Sequence, residues 1–391
     1  MVVDPRQILE ILRRVARGKG FTPLHEPQFA GREWAYVKEC IDTNWVSSAG
    51  SYVEQFETRL ADVCGTKHAV ALVNGTSALR ICFVIGGAKS DEEIILPALT
   101  FVATATAAAY VGAVPHLADS EPETLGLDAA KLKAHLGRIA KSDGKSTVNH
   151  ETGGRIAIIV PMHTFGHPYD TDAISSMAHA FGIPVIEDAA ESVGSYYRGR
   201  SCGLLGLLSA LSFNGNKILT SGSGGAILTN DENLTRRAKH LSTTAKFPHA
   251  WDFNHDEVGW NYRLPNINAA LGVAQLKQMP GFVAAKRKLA RKWQEAFAGI
   301  DGVSVFVPPT CAESGHWLTA LILSPQSRHL RDDILALTNA AGVMTRPVWK
   351  LIHHLPVFEN CPRMNLDAAT DLAQSIINIL SSAKHSFANA A

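Results

Sequence analysis

Short apolar runs alternate with amphipathic stretches through the first half of this chain, and that alternation constrains its fold more than any other feature. V-A-L-V (70–73) leads into N-G-T-S-A-L and a helical segment, and E-I-I-L-P (93–97) precedes an alanine-rich helix and then A-V-P-H-L-A-D (113–119). R-I-A-I-I-V-P-M-H (155–163) precedes a helix around residues 173–181, which gives way to I-P-V-I-E-D (183–188). Unbroken apolar runs mark strands covered on both faces, and helices between them supply the crossovers that parallel strands require. The pattern predicts an α/β fold: a mainly parallel sheet with helices on both faces. Ligands in such folds gather at the carboxyl ends of the strands.

At 391 residues the chain is long enough for two cores. After about residue 250 the strand–helix rhythm gives way to a basic helix around 286–291, a less regular region and a helix near 367–380. The predicted organisation is a large domain over 1–250 and a smaller α+β domain over 251–391. An N-terminal helix over 4–17 is expected to join the smaller one. Asp4 has the form of its N-cap, Pro5 of its first residue and Gln7 of a capping-box partner, and Ile8, Ile11, Leu12 and Val15 follow at helical spacing. The polar stretch 137–154 reads as a surface loop.

A net charge of +1 gives no support to a nucleic-acid or membrane-surface role. Six scattered cysteines with no C-x-x-C read as reduced thiols in a cytoplasmic protein, without a disulfide frame or a metal site. Arginines interrupt the opening helix, so it does not read as a signal peptide. Residues 94–118 carry no Asp, Glu, Lys or Arg and exceed the roughly 20 residues of a spanning helix. Pro97, Gly112, Pro115 and several threonines nevertheless divide that stretch into strand, loop, helix and strand.

The chemistry-bearing residues fall at the predicted strand ends. Lys217 closes S-F-N-G-N-K (212–217), after an apolar strand and before S-G-S-G-G-A-I-L-T-N, and Ser212 stands five residues upstream. E-D-A-A-E-S (187–192) ends another strand. This set suits a Schiff-base lysine, a phosphate-binding serine and an aspartate, Asp188, paired with a pyridine nitrogen, which is the equipment for pyridoxal phosphate. A buried Asp188 needs such a partner. G-T-S (75–77) lies where a strand becomes a helix, so Thr76 and Ser77 can hold a phosphate at the positive helix end. Phe101 can lie flat on a cofactor ring, and His163 is placed to face the site. No G-x-G-x-x-G follows a strand, so a dinucleotide fingerprint is absent.

Read together, G-T-S-A-L, P-A-L-T-F-V-A-T, E-D-A-A-E-S, S-F-N-G-N-K and G-W-N-Y-R-L-P-N-I-N-A-A-L-G (259–272) give the chain its resemblance to the DegT/DnrJ/EryC1/StrS nucleotide-sugar aminotransferases. Those are fold-type-I, aspartate-aminotransferase-like pyridoxal phosphate enzymes. The resemblance implies that Lys217 links to the cofactor, Asp188 meets the pyridine nitrogen and Phe101 stacks on the ring. It also implies that Thr76, Ser77 and Ser212 bind the phosphate, with Asn261 reaching in from a neighbouring subunit of a homodimer. Glu191 stands near the cofactor, where many relatives carry Gln or His. The stretches 21–53 and R-P-V-W-K-L-I-H-H-L-P-V-F (346–358) resemble the LegC-type branch, which serves legionaminic acid and related amino-sugar pathways. That implies transfer from L-glutamate to C4 of a UDP- or GDP-linked 4-keto-6-deoxy-N-acetylhexosamine, with Arg346 and Lys350 as diphosphate contacts. A C3-specific transferase is the alternative. Deoxygenating relatives replace the lysine with His, and a non-catalytic binding protein would be expected to lose Lys217 or Asp188. Arg263 reads as a buried, ion-paired structural residue.

Overall fold

Residues 2–16, 20–142 and 146–387 are described by the computed structural model. Seven strands form the large sheet: β1 (His68–Leu72), β2 (Glu93–Pro97), β3 (Val114–Ala118), β4 (Ile156–Ile159), β5 (Ile186–Asp188), β6 (Leu208–Ser212) and β7 (Gly225–Thr229). β1, β7, β6 and β5 are neighbours, as are β3, β2 and β4. Parallel bridges from Ile159 to Val185 and from Met162 to Asp188 join the two groups. The order is therefore β1-β7-β6-β5-β4-β2-β3. Only β7 runs against its neighbours. Every residue of β2, β6 and β7 is buried, as unbroken apolar runs require of a sheet covered on both faces. The charge-free stretch 94–118 becomes most of β2, a helix over Val102–Tyr110, and β3. Among the described residues no helix is long and apolar enough to cross a membrane.

The first helices of the chain are α1 (Pro5–Ala16), α2 (Glu33–Asp42), α3 (Ser51–Cys64) and α4 (Gly75–Ile85). Asp4 caps α1 by accepting the Arg6 amide at 2.9 Å. Residue 17, the last of the expected helix, lies outside the described residues.

A second sheet follows, made of β8 (Val303–Val305), β9 (Thr319–Leu323), β10 (Arg346–Pro347) and β11 (Ile376–Ile379), ordered β8-β9-β11-β10 with every pairing antiparallel. Its core takes Ile8, Leu9, Ile11 and Leu12 from α1 and Val303, Leu321, Leu323, Ile377 and Ile379 from the strands. Each such side chain contributes roughly 1.5–3 kcal/mol by leaving water.

The long helix Asn266–Phe297 serves both cores: Ala269, Val273, Leu276 and Val283 face the first, and Leu289, Trp293 and Phe297 the second. Pro280 lies inside this helix. The change of texture near residue 250 thus precedes the physical junction, which runs through the helix itself.

Two local expectations are corrected. The helix expected over 367–380 stops at Ser375, and Ile376–Ile379 forms the fully buried strand β11. Its isoleucines favour a pleated, covered surface over a helix. The polar stretch 137–154 holds the end of the helix Ala129–Ile139 and an antiparallel pair, Ala140–Ser142 with Thr147–Asn149.

Candidate active site

The carboxyl ends of β5 and β6 and the N-terminus of α4 converge on a cavity of about 320 Å³. Thr76, Phe101, Asp188, Glu191, Ser212 and Lys217 all line it, although 141 residues separate the first from the last.

Helix α4 starts there because Asn74 caps it, accepting the Ser77 amide at 2.8 Å. Close packing against the strand ends requires glycine at two places. A Cβ on Gly75 would lie 2.9 Å from Ser212 Cβ, and one on Gly225 would lie 2.4 Å from the Asn74 carbonyl carbon. The positive helix end and the Thr76 and Ser212 hydroxyls therefore share one wall, a cradle for an anion. Ser77 is corrected: it is buried, its amide is engaged by Asn74, and it does not line the cavity.

Asp188, at the end of β5, is 3% exposed. Thr104 Oγ1 donates to its Oδ2 at 2.6 Å, and the Ala190 amide donates to Oδ1 at 3.2 Å. Burial raises its pKa, while Thr104, the Ala190 amide, Lys217 and His163 pull the other way. Its hydrogen-bond partners are a hydroxyl and an amide, and neither carries charge. A protonated ring nitrogen presented from the cavity would supply the missing positive partner. The wall of small residues, the helix end and this carboxylate suit pyridoxal phosphate.

Lys217 sits in the loop after β6. Its Nζ lies 3.0 Å from Glu191 Oε1 and 3.9 Å from the centroid of the Trp317 ring. Trp317 is fixed by donation from its Nε1 to the Asn216 carbonyl at 2.6 Å and by its near-parallel neighbour Trp349. Asn268, from the N-I-N motif, holds the same loop by donating to the Ser221 carbonyl at 2.7 Å. Phe101 is 47% exposed and packs toward Trp349 at 6.2 Å between ring centroids, leaving a ring face open.

Other expected contacts fall elsewhere. His163 does not face the cavity: its ring is wholly buried, pairs with Glu187 at 2.9 Å and stacks on Tyr169. Burial opposes its charge, but Cys202 and Glu187 hold its pKa up. Three backbone amides, of Gly203, Leu205 and Gly206, also donate to Glu187, so the pair belongs to the scaffold behind Asp188. Arg346 and Lys350 are exposed and outside the wall, while Trp349 between them forms part of it. Asn261 is exposed and outside its own chain's cavity. Its Oδ1 accepts from Arg263 at 3.0 and 3.2 Å, so the amide N–H₂ is its remaining donor group. Arg263 is exposed rather than buried, and its guanidinium donates to this amide.

Thr104, Trp317 and Trp349 were missed from sequence. Thr104 closes the T-F-V-A-T motif, and one helical turn separates it from Phe101 and Thr100. Trp317 lies in no motif, and it reaches the first core from the segment that precedes β9 of the second sheet.

Residues 27–386 match the DegT/DnrJ/EryC1/StrS aminotransferase family. The chain is 36% identical over 345 residues to GDP-perosamine synthase of Caulobacter vibrioides, covering 88% of each chain. It superposes on a DegT/DnrJ/EryC1/StrS aminotransferase of Brucella abortus with a TM-score of 0.81 at 26% identity, over 90% of each chain. The structure of DesI determined in the presence of its TDP-sugar product gives a TM-score of 0.81 at 25% identity, over 95% of this chain and 91% of that one. The chain belongs to the DegT/DnrJ/EryC1/StrS aminotransferase family and is a pyridoxal-phosphate-dependent nucleotide-sugar aminotransferase of fold type I.

Proposed function

We propose that the protein takes an amino group from L-glutamate and passes it to C4 of a nucleotide-linked 4-keto-6-deoxy-N-acetylhexosamine. In this reading it serves legionaminic acid or a related amino-sugar pathway and works in the cytoplasm as a homodimer. The observation that carries the reading is the convergence of Lys217, Asp188 and the α4 N-terminus on one cavity. Bound pyridoxal phosphate supplies an electron sink for negative charge beside the reacting nitrogen.

The chain supplies the rest. The α4 N-terminus with Thr76 and Ser212 would hold the phosphate, Phe101 would cover one ring face, and Asp188 would accept the pyridine N–H. Lys217 would anchor the cofactor covalently and, once free, supplies a base at its Nζ. Its Nζ then takes the proton from the α-carbon of glutamate, and in the second half-reaction it returns a proton to C4 of the sugar. Two half-reactions in one cavity imply ping-pong kinetics. Asn261 completes the phosphate contacts of the neighbouring subunit. Trp251, Phe253 and Val258, which precede it, are 81%, 69% and 82% exposed, the kind of surface a second copy covers.

Between UDP and GDP, the relative named GDP-perosamine synthase favours a GDP-linked sugar. The test is incubation with L-glutamate and matched UDP- and GDP-linked 4-keto-sugars, with products read by mass spectrometry and NMR. Amine at C4 is expected. Amine at C3, loss of a hydroxyl without amination, or no product from either sugar would contradict the proposal.

A further inference from the structure

Glu191 is wholly enclosed, yet both of its oxygens are engaged. The Phe165 amide donates to Oε2 at 2.9 Å, which fixes the carboxyl plane, and Oε1 faces Lys217 Nζ at 3.0 Å. The Trp317 ring closes the other side of that nitrogen at 3.9 Å. The lysine head group therefore has a built niche, with a carboxylate on one side and an electron-rich face on the other.

Resting on the aminotransferase reading above, we propose that Glu191 is the proton acceptor of Lys217, and that Trp317 holds the displaced ammonium against it. The amino donor enters as an ammonium and brings one proton more than the exchange of amines consumes. For Lys217 to act as a base, that proton must leave its nitrogen. In the proposed step one N–H bond of the ε-ammonium breaks and one O–H bond forms at Glu191 Oε1. The lysine becomes a neutral amine with a free lone pair, the carboxylate becomes a carboxylic acid, and nothing is oxidised or reduced. The proton returns along the same contact when Lys217 is recaptured.

The surroundings suit the task. The charged groups facing Glu191 are Lys217, from the loop after β6, and Asp188, from the end of β5. The 164–166 segment offers it the Phe165 amide. Burial raises the Glu191 pKa to about 7, Lys217 and the Phe165 amide oppose the rise, and Asp188 adds to it. Burial thus brings the carboxyl's proton affinity toward that of an amine. Above about pH 7 the carboxylate is available as acceptor, and below it the site is already protonated.

Glu191→Gln keeps the shape and an oxygen for the Phe165 amide while removing the acceptor. In cofactor-free protein, infrared difference titration of wild type against Glu191→Gln is expected to show one carboxyl titrating near pH 7. In loaded enzyme, the single-turnover rate with L-glutamate is expected to fall as pH drops through that value. Glu191→Gln is expected to lose this limb and to be slower by about 10²-fold. Borohydride trapping on Lys217 in the same variant checks that the site is intact. A carboxyl that stays ionised through the range, or a variant that keeps the limb and the rate, would overturn the proposal. A wild type with no trapped adduct would instead overturn the aminotransferase reading.

Discussion

Asp188 shows how much one residue does in this site. Its carboxylate is buried with a hydroxyl and an amide as hydrogen-bond partners, so its environment is incomplete until a positive group arrives. Asp188→Asn preserves the shape and removes the charge that would keep a pyridine nitrogen protonated. Turnover is expected to fall by about 10²- to 10³-fold, with the phosphate contacts still retaining the cofactor. Steady-state kinetics beside a cofactor absorption spectrum would check this, and near-normal turnover would reduce Asp188 to a structural residue that holds the turn after β5. That Asp188, Glu191, Ser212 and Lys217 share one cavity was legible in the sequence because each sits at or a few residues after a strand end. His163 was misplaced because strand-end position does not say which side of the sheet a ring takes. Glu187, one residue before Asp188, claims it from behind.

At the scale of elements, the start of α4 is the most constrained piece of the site. Gly75 lies against Ser212, so Gly75→Ala pushes the helix end away from the strand ends. Overpacking of this kind costs about 1–3 kcal/mol, and cofactor affinity is expected to weaken by about tenfold. Fluorescence titration of cofactor-free protein with pyridoxal phosphate would measure it, and unchanged affinity would show that the cradle lies elsewhere. Strands β1–β6 were readable because unbroken apolar runs have few other uses, whereas the glycine-rich approach to β7 masked it. β11 was not, because I-I-N-I follows a true helix directly and only its pairing with β9 and β10 decides its state. The Ala140–Ser142 pairing was hidden by polar composition, which carries no periodic signal.

For the whole molecule, the second core is a working part of the site rather than an appendage. The segment leading into its strand β9 places Trp317 in the first core beside Lys217, and the helix Asn266–Phe297 that joins the cores also props the Lys217 loop through Asn268. Leu12→Ala, in the face of α1 buried in that core, is expected to destabilise the protein by about 2–5 kcal/mol, measurable by chemical denaturation. The homodimer proposal has its own test, the mixing of two inactive variants: Lys217→Ala, and Asn261 replaced by a bulky residue. A mixed dimer then holds one site with both defects and one with neither, so activity should reappear once subunits exchange. Demonstrated exchange without activity would mean that each chain builds its site alone.

Borohydride reduction of the purified protein loaded with cofactor, followed by peptide mapping, tests whether Lys217 is the covalent anchor of a pyridoxal phosphate aminotransferase. The cofactor absorption is expected to bleach and a single reduced adduct to form on Lys217, absent in Lys217→Arg, which cannot form the link. An adduct on another lysine, or none, would contradict it.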